Sequence, residues 1–89
     1  MYNFRTSKEL DRILDKLLKK DKPIFEHIMH KINEIISSSD IEHYKNLRYG
    51  LKDVKRVHIG HFVLTFQFDK NQNLILFEDF DHHDNIYKK

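Results

Sequence analysis

The chain contains no cysteine, so neither a disulfide framework nor thiolate chemistry is open to it. It has no apolar run long enough to span a bilayer. Its start, MYNFRTSKEL, is polar where a secretory leader would need an apolar stretch. Two glycines and one proline leave no linker-like segment, so residues 1–89 are expected to form a single domain with one core. No membrane association is expected, and the expected location is cytoplasmic. An excess of one charge is missing too. With 16 basic and 14 acidic residues, the net +2 points to no polyanionic partner by itself.

What is present is unevenly distributed. Between His43 and His58 lie Lys45, Arg48, Lys52, Lys55 and Arg56 against the single acid Asp53, while Asp69 to Asp84 is mostly acidic. The middle third is therefore a candidate phosphate-binding surface, the alternative being a strand edge whose lysines discourage aggregation. The end of the sequence, FEDFDHHDNIYKK, places two adjacent histidines between aspartates, with a tyrosine one helical turn further on.

The front half repeats at helical spacing. YNFRT alternates as a short strand, and Thr6 with Glu9 reads as a T-x-x-E capping box opening a helix whose stripe is Leu10, Ile13, Leu14, Leu17 and Leu18. Lys19 and Lys20 suit its C-terminus. Asp21 and Pro23 restart the chain as a second helix, with Phe25, Ile28, Met29, Ile32, Ile35 and Ile36 inward and SSSD closing it. The back half changes period to two: VKRVHI, a turn at Gly60 and His61, FVLTFQF, the DKNQN turn, and LILFEDF. Alternation puts Phe62, Leu64, Phe66 and Phe68 on one face, and Arg56 with His58 together, opposite Val57 and Ile59. The expected fold class is α+β: an N-terminal strand and a two-helix hairpin packed on a twisted antiparallel sheet, in the order β-α-α-β-β-β.

This order, with LRYGLKDVKRVHIGHFVLTFQFD and a late HHDNIY, resembles the RelE/ParE superfamily of toxins from type II toxin–antitoxin systems over nearly the whole chain. Arg56 and His58 match the family's basic-x-basic strand, Gly60 its turn, and His82, His83 and Tyr87 its late His-Arg-x-x-x-Tyr. Two positions depart from the pattern. Val63 stands where an arginine is usual, and His83 replaces the arginine of the late motif. The RelE branch implies a metal-independent endoribonuclease cleaving mRNA in the ribosomal A site, held by a RelB-like antitoxin in a hetero-oligomer. The ParE branch implies a gyrase poison, and loss of the arginine at Val63 admits a decayed module that only binds antitoxin.

Metal-free RNA cleavage needs a base for the 2′-hydroxyl, a cation for the phosphorane and an acid for the leaving 5′-oxygen, and imidazole can serve in each role. The resemblance brings His58, His82, His83, Arg56 and Tyr87 together as candidate catalytic residues, with Tyr87 stacking on or orienting a base. Arg48, Lys52 and Lys55 are the candidate RNA-binding cations. The alternatives are an ion pair between Arg56 and an aspartate of the next strand, and a packing role for Tyr87. His27, His30, His43 and His61 are expected at the surface. A zinc or nickel module using His58, His82, His83 and Asp84 is a competing class. Neighbouring histidines on an extended strand point to opposite faces, so His82 and His83 are not expected to share an ion, and no cofactor is expected.

Overall fold

A computed structural model describes residues 1–46 and 54–88. Its elements run β1 (Asn3–Thr6), α1 (Lys8–Lys20), α2 (Lys22–Ile36), a single 3₁₀ turn (Ile41–His43), β2 (Val54–Ile59), β3 (Phe62–Asp69), β4 (Leu74–His82) and α3 (His83–Lys88). The expected strand, helical hairpin and three-stranded meander are all present, and α3 is an addition to them.

α1 begins one residue later than a Thr6 cap would place it. Ser7 is the N-cap: its hydroxyl accepts from the Leu10 N–H at 3.0 Å and donates to the Glu78 carbonyl at 2.6 Å, joining the helix start to β4. Thr6 instead closes β1, and its hydroxyl donates to Asp11. α1 ends on Lys19 and Lys20 as expected, and Asp21 caps α2 by accepting from the Ile24 N–H at 3.3 Å. Of the inward stripe read for α2, Ile28, Ile32, Ile35 and Ile36 are buried, whereas Met29 is exposed.

The sheet order is β1-β4-β3-β2. β2, β3 and β4 pair antiparallel as the alternation implied. β1 joins β4 in parallel, Asn3 beside Leu74 and Thr6 beside Phe77, so the sheet is mixed rather than wholly antiparallel. A parallel partner cannot be reached by a hairpin, and the helical pair supplies the long connection that this pairing needs. The register of β3 against β4 shifts between Thr65 and Phe66, leaving Glu78 as the extra residue of a bulge.

The two sheet faces carry different cores. Leu64, Phe66, Ile75, Phe77, Phe80 and Ile59 pack against Leu10, Leu14, Ile28, Ile32 and Ile35 of the helices. Each such fully buried large side chain contributes about 1.5–3 kcal/mol through its removal from water. On the opposite face Val63 and Ile86 form a small separate cluster, with Val54 and Tyr87 half-buried at its sides. This second cluster fastens α3 across the sheet.

Candidate active site

β2 places Arg56 and His58 on the α3 side of the sheet, as the period of two required. Their cross-strand partners are Thr65 and Val63. His58 is exposed, and the domain's own α1 and α2 lie on the other face. The Gly60–His61 turn follows, with Gly60 at φ +63°, a conformation that suits a residue without Cβ.

The strand-to-helix change at His82–His83 organises the rest. The His83 N–H donates to the His61 carbonyl at 3.0 Å, which ties the start of α3 to the β2–β3 turn. Asp81 braces the same corner, accepting from the His82 N–H at 2.7 Å and from the Asn85 side-chain amide at 3.1 Å. Within α3, His83 and Tyr87 are one turn apart, so their rings meet at a centroid distance of 5.4 Å. His83 also lies 6.3 Å from His58, ring to ring. Three of the expected catalytic residues therefore form a continuous row: His58, His83 and Tyr87.

His82 belongs beside this row rather than in it. It is the last residue of β4 and pairs with Phe62, whose ring it meets edge-on at 5.8 Å, and it stacks with His61 at 6.3 Å. Its ring remains 5.9 Å from that of His83. His61, expected to be a plain surface residue, is thus part of the histidine cluster. The signal for it was the turn itself, since a meander brings the β2–β3 turn level with the end of β4.

The electrostatics separate the histidines. Partial desolvation lowers the pKa of His58, and the positive charges of Arg56 and His83 lower it further. At neutral pH its imidazole is held in the base form, with a lone pair available to accept a proton. Arg56 is only partly exposed, and its Nε is buried without a hydrogen-bond partner among the described residues. An orphaned guanidinium nitrogen of this kind is costly in a merely structural residue.

The basic residues expected to bind RNA divide. Lys55 is 8% exposed and faces the helix side; its ammonium donates to the Tyr44 carbonyl at 3.2 Å. The assignment of Lys55 to an RNA-binding surface is corrected accordingly. Strand parity directs it opposite to Arg56, where it pins residues 44–46 along the β2 edge with the help of the Arg56 N–H to Lys45 carbonyl bond at 2.9 Å. Arg48 and Lys52 lie outside the described residues, as does the LRYGLKD part of the sequence resemblance. Val63, at the position where the resemblance expected arginine, is completely buried beneath Ile86. Among the described residues, no helix is long and apolar enough to cross a membrane.

No protein-family model matches the chain. Over its full length it is 51% identical to the candidate toxin RelE4 of Methanocaldococcus jannaschii, covering 94% of that protein. Among solved structures, the fold is similar to a chain of the intact RelBE toxin–antitoxin complex of Escherichia coli, with a TM-score of 0.75 and 17% identity over 92% of this chain and 96% of that one. It is similar also to a chain of the RelBE2 toxin–antitoxin complex of Mycobacterium tuberculosis, with a TM-score of 0.73 and 21% identity over 91% and 96% of the two chains.

Proposed function

The chain belongs to the RelE toxin family, and from that premise we propose that it is the toxin of a type II toxin–antitoxin pair, a metal-independent endoribonuclease cleaving mRNA at the ribosome. The observation that carries this reading is the row His58, His83 and Tyr87 beside Arg56 on the α3 side of the sheet, away from α1 and α2. His58, kept neutral by its surroundings, takes the proton of the 2′-hydroxyl as that oxygen attacks phosphorus. Arg56 and protonated His83 stabilise the crowded phosphorane. The bond from phosphorus to the 5′-oxygen breaks as an imidazolium, His83 or His82, gives its proton to the leaving alkoxide. The products are a 2′,3′-cyclic phosphate and a free 5′-hydroxyl. Tyr87 offers a ring on which a base can stack, and Arg48 and Lys52 supply phosphate contacts.

The partner is a RelB-like antitoxin in a hetero-oligomer. The structural neighbours, which are chains of toxin–antitoxin complexes, support it, and so do the apolar side chains of Phe4, Leu18 and Met29 that remain exposed. The buried Val63 favours one other reading, an antitoxin-binding module that has lost catalysis. RNA cleavage with purified ribosomes in EDTA, by wild type and by Arg56→Ala, His58→Ala and His83→Ala, separates the two. A nuclease loses on the order of 10²-fold in rate for the acid or base variants and keeps its antitoxin affinity. Equal activity in all three variants would remove this site from consideration.

A further inference from the structure

The turn of the chain at His82–His83 creates a constellation that an extended segment would have prevented. Adjacent histidines on a continuing strand diverge to opposite faces. Here β4 stops at His82 and α3 begins at His83, so one ligand atom from each of His82, His83 and Asp84 comes within 4.8 Å of the others. The Asp84 carboxylate sits between the rings, Oδ1 at 3.1 Å from His83 Nδ1 and Oδ2 at 3.7 Å from His82 Nδ1. Ligands bonded to a tetrahedral ion at about 2.0–2.2 Å are roughly 3.4 Å apart; the two spacings lie on either side of that edge but run to different oxygens of Asp84, so a turn of the exposed carboxylate is needed for one oxygen to serve both histidines.

We propose that His82, His83 and Asp84 form a binding site for a borderline transition-metal dication, zinc foremost, with the fourth position left to water or to a neighbouring imidazole. The donor set of two nitrogens and one carboxylate oxygen suits zinc, nickel or copper, and is a poor match for magnesium or calcium, which take oxygen ligands. All three side chains are reachable from solvent, with exposures of 45% for His82, 49% for His83 and 63% for Asp84. An ion can enter without opening the core, and the rings can rotate the remaining distance. Two more imidazoles stand in reserve around the site, His61 against His82 and His58 against His83, each 6.3 Å away ring to ring. His82 Nδ1 accepts from the Asp84 N–H at 3.2 Å. This bond leaves Nε2 as the nitrogen bearing hydrogen in the neutral, ion-free ring, so metal capture through Nδ1 displaces the Asp84 N–H bond, and capture through Nε2 moves the ring hydrogen to Nδ1.

A bound ion has a functional consequence, which rests on the RNA-cleavage reading, whereas the ion site itself does not. Coordination occupies the lone pair of His83 and prevents it from carrying the proton that the leaving 5′-oxygen requires. Zinc is then an inhibitor of this site and not its cofactor.

The test uses the untagged full chain without RNA. Zinc is titrated in competition with a chromophoric chelator, and cobalt is followed by its visible absorption. Wild type is compared with His82→Ala, His83→Ala and Asp84→Asn, and with a His27→Ala/His30→Ala control on α2. Wild type should bind one equivalent, each site variant should lose on the order of tenfold or more in affinity, and the control should match wild type. The ligands are half-exposed, so the variants should melt as wild type does. Absence of binding to folded wild type at millimolar zinc overturns the proposal, as does full affinity retained by any two of the three site variants. A chain that binds zinc here yet cleaves no RNA would sink the proposed activity and leave the ion site standing. An active chain insensitive to zinc and unable to bind it would do the reverse.

Discussion

Shortening Ile86 to alanine tests whether packing beneath α3 assembles the row of His58, His83 and Tyr87 proposed as catalytic. α3 has six residues, too few to be helical alone in water. It is held to the sheet by Ile86, 2% exposed, packed on the fully buried Val63, with Tyr87 and Val54 alongside. Removing three methyl or methylene carbons from a rigid core site costs about 2–5 kcal/mol. α3 need not tolerate the resulting cavity, because its cluster is separate from the main core and it can release without unfolding the rest. The loss of global stability is therefore capped at the docking free energy of α3, below the ~3–5 kcal/mol expected for Phe66→Ala in the main core. Release carries His83 and Tyr87 away from His58. Ile86→Ala should then lose exchange protection of the α3 amides, the cross-ring contact between His58 and His83 seen by NMR, and RNA cleavage, while Ile86→Val keeps all three. An Ile86→Ala protein with protected α3 amides and full activity would refute this account, and so would a fall in unfolding free energy matching that of Phe66→Ala.

Three more outcomes can be checked. Ser7→Ala should destabilise the fold by about 1–2 kcal/mol in denaturant melts through loss of the α1 cap, while Thr6→Ala should leave it nearly unchanged; the opposite ranking would restore Thr6 as the capping residue. The pKa of Tyr44 is raised, first by burial and then by the nearby Glu34 carboxylate. The folded state thus holds this proton more tightly than the unfolded chain, so stability should be intact below about pH 10 and decline as pH rises further, a slope that Tyr44→Phe should reduce. The lowered pKa of His58 places its proton release below the ordinary imidazole value of 6.5; the rising limb of the cleavage rate against pH should lie below that value, and a limb above it would remove His58 as the base.

Period and caps made most of the fold legible. The helical stripes and the switch to alternation located every long element, and parity alone put Arg56 and His58 on one face. Three features were beyond the sequence for identifiable reasons. The parallel pairing of β1 with β4 is a long-range choice that no local pattern encodes. The Thr6–Glu9 spacing matched a capping box, yet the Leu10 N–H bonds to the hydroxyl of Ser7, which a tertiary bond to the Glu78 carbonyl of β4 also holds in place. At the site, alternation marks the last strand only as LILFEDF, and weighing the two histidines as an extended segment hid the start of α3. The i,i+4 spacing of His83 and Tyr87 was the available clue, although a six-residue helix gives too little periodicity to outweigh the preceding strand. Lys55 was misassigned by charge when its parity already pointed inward.

The placement of β1 also bears on when this molecule can exist during its own synthesis. Asn3 is made some seventy residues before its partner Leu74. Until β4 is available, the N-terminal strand has no ladder to join, and Ser7 lacks the Glu78 carbonyl that locks the start of α1. His82, His83 and Tyr87 come later still. At roughly 5–20 residues per second of elongation, a nascent chain of this protein spends several seconds with its helices made and its sheet incomplete. Assembly of the histidine cluster is deferred until the sheet closes, which leaves an interval in which a partner already present can meet the exposed apolar faces before the proposed site is complete.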